Sequence, residues 1–258
     1  MYFCTVETYN TFTMKKLLIS LAMIMMVVTG CNRKTTDATE LEVEPYTFID
    51  SVYLETEFSE GYSYYTMNID VPVSGPDSLK NNIMQWILGG KNETYQQYVQ
   101  ADKTRFFDEE GSEPLSELNS NYTLAEQTDR YVTYIAEGYL YTGGDHNMPW
   151  YYGITFGKAD GDLFGYDLID DYEQIEGMVS QTIFNQYFDD ENDEMFDGID
   201  IYGNLPLPTN QPWIENDSVV FCYQPYELGP YFPDKSLCKI ALIDLEPYMS
   251  VKGETFLP

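Results

Sequence analysis

The sequence predicts an α+β fold, an antiparallel sheet or sheets with two or three helices packed on one face. Three observations carry this. Stretches rich in Tyr, Val, Ile and Thr recur along the chain, the composition of a half-buried pleated strand. Short turn clusters such as Ser59-Glu60-Gly61 and Asp160-Gly161 adjoin them, which suits antiparallel neighbours. Other stretches space their apolar residues at three and four, the helical period.

Tyr46 to Glu57 and Tyr62 to Val73 alternate in part and read as a hairpin. Pro76 then opens a helix whose Leu79, Ile83, Trp86 and Ile87 share one face, and Gly89-Gly90 stops it. A second, more polar helix is expected over Glu93 to Phe107, and Glu109 to Ser120 reads as a loop. Arg130 to Thr142 alternates well until Gly143-Gly144-Asp145-His146 interrupts it, and Trp150 to Lys158 is the next strand. Asp170 to Phe188 is the strongest helix, with Ile175, Met178, Val179, Thr182 and Ile183 on one side and Asp170 with Glu173 resembling a capping box. An acidic loop, Asp189 to Asp200, follows. Val219 to Tyr223 and Cys238 to Ile243 close the domain as strands. There is no internal repeat.

The N-terminus carries an export signal that begins at Met14, leaving residues 1–13 as an upstream start extension. Lys15 and Lys16 form the basic n-region, and Leu17 to Val28 is an apolar run broken only by Ser20. About a dozen apolar residues are too few to span a bilayer, which needs about 20. The segment 14–30 closes on Val28-Thr29-Gly30 before Cys31 and resembles the lipobox of bacterial lipoproteins. The resemblance implies cleavage before Cys31, lipidation of its thiol and anchoring to a membrane through two or three acyl chains, with residues 31–45 as lipidated cysteine and tether. Arg33 and Lys34 follow the cysteine where surface-exported lipoproteins of some Gram-negative groups carry acids. The expected place is therefore a periplasm-facing outer membrane.

Composition narrows the function classes. Hydrophobic residues make up 43% of the chain, enough for a real core. Without Glu7, Lys15 and Lys16, the 43 acids and 13 bases become 42 and 11, a formal charge of −31. Such a field repels nucleic acid and attracts cationic partners; solubility alone is the other reading of it. The single histidine, His146, leaves no metal site that needs two imidazoles, and no phosphate-binding glycine loop or other cofactor motif is present. Oxygen ligands are plentiful from Asp189 to Glu194, yet EF-hand spacing is lacking, and a solvated loop is expected. Cys222 and Cys238 fall in strands of neighbouring sequence; they either pair as a disulfide or stay as two buried thiols.

Gly143-Gly144-Asp145-His146, the aromatic strand Tyr151-Tyr152-Gly153-Ile154-Thr155-Phe156, Asp162-Leu163-Phe164 and Tyr226-Glu227-Leu228-Gly229-Pro230-Tyr231 occur in this order. The order resembles the domain of unknown function that forms the extracytoplasmic half of RsiV-type anti-sigma factors and is found beside polysaccharide deacetylase domains. The resemblance covers residues 129–250; 46–128, the hairpin and helices, would be its N-terminal half. It implies binding of lysozyme. The cytoplasmic sigma-binding segment of that family is missing, so its signalling role does not carry over. Candidate binding residues are Asp145, His146, Tyr151, Tyr152, Tyr226, Glu227 and Tyr231. His146 either hydrogen-bonds its own turn or contacts a ligand. Glu227 reads as a buried or half-buried carboxylate held by backbone amides or Tyr hydroxyls; if it met His146, the two would form an acid–base pair.

The leading expectation is an envelope-anchored binding lipoprotein that recognises lysozyme, another basic protein or cell-wall glycan. The alternatives are a structural or assembly lipoprotein and, behind it, a hydrolase of envelope glycan or peptide. A concave Tyr- and Trp-lined groove would favour glycan, and an acidic patch a protein partner.

Overall fold

In a computed structural model, residues 40–187, 205–229 and 235–257 are described. The leader, Cys31, the acidic loop 189–200 and Tyr231 lie outside them. The fold is α+β, as the sequence predicts.

Among the described residues, eight strands form two sheets. β1 (Glu42–Glu55), β2 (Glu60–Ser74), β3 (Glu117–Gln127), β4 (Tyr131–Tyr141) and β5 (Met148–Gly157) are hydrogen-bonded in that order. β6 (Trp213–Glu215), β7 (Ser218–Tyr223) and β8 (Ser236–Ala241) form the smaller sheet. Every neighbour pair is antiparallel except β2 and β3, which are parallel. That connection crosses over through α1 (Asp77–Ile87) and α2 (Tyr95–Asp108), because parallel neighbours cannot be joined by a tight turn. The large sheet is built across residue 128, with β1 to β3 before it and β4 and β5 after.

The first hairpin, α1 and the Gly89-Gly90 stop agree with the sequence pattern. In α1, Leu79, Ile83 and Ile87 are buried. In α2, Thr94 and Gln97 form a reciprocal capping box. The expected loop from Glu109 to Ser120 is corrected in part: its last four residues begin β3. α3 (Tyr172–Tyr187) buries Ile175, Val179 and Ile183. Its first turn is capped by Asp171, whose Oδ1 accepts from Gln174 N at 3.2 Å; the Asp170 capping expected from sequence gives way to its neighbour.

α1 and α2 share one face of the large sheet, as expected, while α3 packs on the small sheet, and strand alternation shows why. Val132 and Tyr134 of β4 join Tyr65, Met67, Ile69 and the apolar faces of α1 and α2 in one core. Ile135, on the opposite face of the same strand, packs with Trp213, Val220 and Cys222 of the small sheet. The other face of β7, Val219 and Phe221, packs with Cys238, Ile240 and α3. The order of layers is α1 and α2, large sheet, small sheet, α3. A second apolar face, created by β6 to β8, needs its own helix. α4 (Leu242–Leu245) and two short 3₁₀ turns, Glu246–Tyr248 and Gly253–Phe256, follow β8.

Candidate functional site

The small sheet covers only part of the large one. Over β4 and β5, the Thr133 hydroxyl donates to Ile214 O at 2.7 Å, and Ile214 N donates to the Thr155 hydroxyl at 2.8 Å. Beside them Gly153 lies under the Trp213 indole so closely that a Cβ there would stand 2.4 Å from the ring. Two residues further along each strand the cover ends, and a cleft of about 540 Å³ opens.

Strand register builds its floor. One row across the sheet is Asn68, Asn121, Glu137, Tyr151; the next is Thr66, Asn119, Tyr139, Pro149. The period of two puts each row's side chains on the face away from α1 and α2. Asn68 Nδ2 donates to Asn121 Oδ1 at 2.7 Å, and Asn121 Nδ2 donates to Asn119 Oδ1 at 2.8 Å. The Tyr139 hydroxyl donates to Glu117, and this bond holds that phenol's pKa up at about 12. Pro225 and Lys235 belong to the far wall. Lys235 Nζ stands 3.2 Å from the centre of the Tyr151 ring, a cation–π contact. Burial, and then the carboxylates of Glu215 and Glu137, push the Tyr151 phenol up to about 12.

The Tyr151 backbone is itself clamped. Tyr151 N donates to Gln224 Oε1 at 3.1 Å, and Gln224 Nε2 donates to Tyr151 O at 2.5 Å. Gln224 thereby acts as a one-residue strand on the outer edge of β5. Glu227 secures the turn after it, accepting from Gln224 N and Thr209 N, both at 2.7 Å. The sequence reading of a half-buried carboxylate bonded to backbone amides describes this geometry. Tyr226, between them, is exposed with φ of 65°.

The predicted residues do not converge on one point. Asp145 and His146 lie exposed on the β4–β5 turn, where Gly143 and Gly144 have φ of 91° and 107°. The Tyr141 hydroxyl donates to Gly144 O at 3.1 Å, so Tyr141 supplies the bond to the turn that His146 was one candidate to make. Among the described residues His146 and Glu227 make no hydrogen bond or ion pair with each other. Tyr151 and Tyr152 point to opposite faces: Tyr151 lies 5.8 Å from the Trp213 ring in the small sheet, Tyr152 6.0 Å from Trp86 in α1. Of the two readings for Cys222 and Cys238, the structure has the second, two free and buried thiols. Cys238 faces Phe221 across the ladder and Cys222 faces Leu237; the one-residue offset sends the two thiols to opposite faces of the sheet. Burial pushes Cys222 up to about 12 and Cys238 up to about 11, which leaves both unreactive.

Sequence reasoning missed Asn119, Asn121, Glu137, Tyr139, Gln224 and Lys235. The available signal was period two: Asn119 and Asn121 in one stretch, Glu137 and Tyr139 in another.

A second exposed surface lies at the far end of the β1–β2 hairpin. Tyr53 and Tyr62 are direct cross-strand partners with ring centres 5.3 Å apart, and Tyr64 follows at 6.2 Å from Tyr62. Ile49 is exposed beside them, and Phe58, in the turn, is 91% exposed.

Two solved structures share this architecture. A DUF3298 family member from Bacteroides fragilis superposes with a TM-score of 0.67 at 15% identity, covering 86% of this chain and 100% of its own. A DUF3298 family protein from Pseudomonas aeruginosa PAO1 gives 0.57 at 15% identity, over 81% of this chain and 95% of its own. The chain has the fold of DUF3298 proteins. At this identity the likeness is one of fold alone, and that domain is one of unknown function. No protein-family model and no curated protein matches the sequence.

Proposed function

We propose that this chain is an envelope-anchored binding lipoprotein, held by lipid on Cys31 at a periplasm-facing membrane, which captures a basic protein through its first hairpin. The RsiV-type resemblance makes a lysozyme the first partner to try. One observation carries the reading: the hairpin end presents aromatic side chains within a wholly acidic segment. Between Glu40 and Leu79 the chain has nine Asp and Glu and no Lys, Arg or His. Tyr and Phe are among the residues enriched at protein interfaces, and the surrounding carboxylates would steer and orient a cationic partner. The same charge makes low-salt binding alone uninformative.

The test is a titration of the full chain, in detergent, with a c-type lysozyme at low and at about physiological ionic strength. Affinity that survives physiological salt and falls about tenfold in Phe58→Ala is the expected result. Phe58 is too exposed for its loss to disturb the fold. Binding confined to low salt and indifferent to Phe58 would leave charge as the whole effect and sink the proposal.

A further inference from the structure

The cleft at the rim of the small sheet has a composition that the hairpin reading does not use. Its floor is a polar ladder set by register, with aromatic rings at one side and a single lysine above them. Several groups in it are unspent. Among the described residues, the Glu137 carboxylate and the Tyr151 hydroxyl make no hydrogen bond, and Asn119 Nδ2 has no acceptor. Lys235 has its contact with the Tyr151 ring and, among the described residues, no ion pair.

Ligand classes can be tested against these groups. A peptide could add to β5 only through outward-facing backbone groups, but Gln224 already occupies those of Tyr151, and Pro149 has no N–H to give. A phosphorylated ligand needs clustered cations or a helix N-terminus; the lining residues offer one lysine against one carboxylate. An apolar ligand would strand the amides and the carboxylate without partners. What remains is a ligand that is polyhydroxylated and carries small apolar faces. Planar amide and carboxylate groups in adjacent rows can donate to and accept from neighbouring hydroxyls, while a phenol ring takes an apolar face.

We propose that this cleft is a binding site for a short oligosaccharide, with Glu137, Asn119 and Lys235 bonding its hydroxyls and Tyr151 beside its ring. The volume of about 540 Å³ falls within the usual range for small-ligand sites, about 300–1,000 Å³. The lining residues do not include Phe58 or the Tyr53–Tyr62 pair at the hairpin's tip, and the site does not depend on the capture of a basic protein.

Calorimetric titration of the full chain in detergent with chitotriose, cellotriose and maltotriose tests it. At least one is expected to bind, and Glu137→Ala and Lys235→Ala are each expected to weaken that sugar about tenfold or more. Both side chains are exposed, so neither change threatens the core. Phe58→Ala is expected to leave the sugar affinity untouched, which separates this site from the hairpin. Failure of all three sugars to bind up to about 10 mM, or wild-type affinity in both cleft variants, would overturn the proposal.

Discussion

Both oxygens of Glu227 are committed to backbone N–H groups, so its role is to hold the Gln224 turn against the edge of β5. Glu227→Gln would set an amide N–H₂ against one of those donors. The expected cost is about 1–3 kcal/mol, read as a lowered denaturant midpoint with an unchanged slope; an unchanged midpoint would show the carboxylate to be free. Gly153 is the counterpart on the strand itself. Gly153→Ala drives a methyl group into the Trp213 ring and should cost about 1–3 kcal/mol by overpacking, with near-UV circular dichroism of the indole reporting the shift. The thiols make a third case. Alkylation of the native protein should modify neither Cys222 nor Cys238, while alkylation after unfolding without reductant should modify both. A mass two hydrogens lighter than the dithiol would mean that a bridge had formed.

At the scale of elements, what was legible depended on whether the burial pattern lay within one segment. α1 declares itself because Leu79, Ile83 and Ile87 recur on one helical face; β1 and β2 do so through alternation. β3 does not. Its residues Glu117, Asn119 and Asn121 are poor strand formers taken singly, and their place in the sheet comes from β2 and β4, far away in sequence. The cleft was illegible for the same reason: its rows draw one residue from each of several strands, and no local motif encodes a register. Glu227 was legible because its partners, in particular Gln224, are close along the chain. Helix α2 tests local encoding directly. With few buried residues, it leans on its N-terminal cap, and Thr94→Ala should lower stability by about 1 kcal/mol, measured by chemical denaturation.

For the whole molecule, the response to alkali follows from buried acids. Cys222, Cys238 and Tyr151 all have folded-state pKa values raised above their ordinary 9 to 10, to about 12, 11 and 12. Each favours the native state fully below its unfolded pKa and loses that contribution as pH rises through the folded value. Stability should therefore hold to about pH 9 and decline between about pH 9 and 12, with the phenol absorbance change coinciding with unfolding. Titration of these groups at their ordinary pKa in the folded protein would contradict the packing of the small sheet.

The long first hairpin has a mechanical consequence. Leu41 is buried, and its N–H donates to Gln127 Oε1, which fixes the start of β1 to the fold. The 14 residues of β1 then carry the tip away by about 45 Å at about 3.3 Å per residue. A partner gripping Phe58 and a lipid fixed at Cys31 would pull on opposite ends of the same strand. That tension would be borne by the covalent backbone of β1, already extended, so the hydrogen-bonded ladder to β2 and the sheet behind it would carry little of the load.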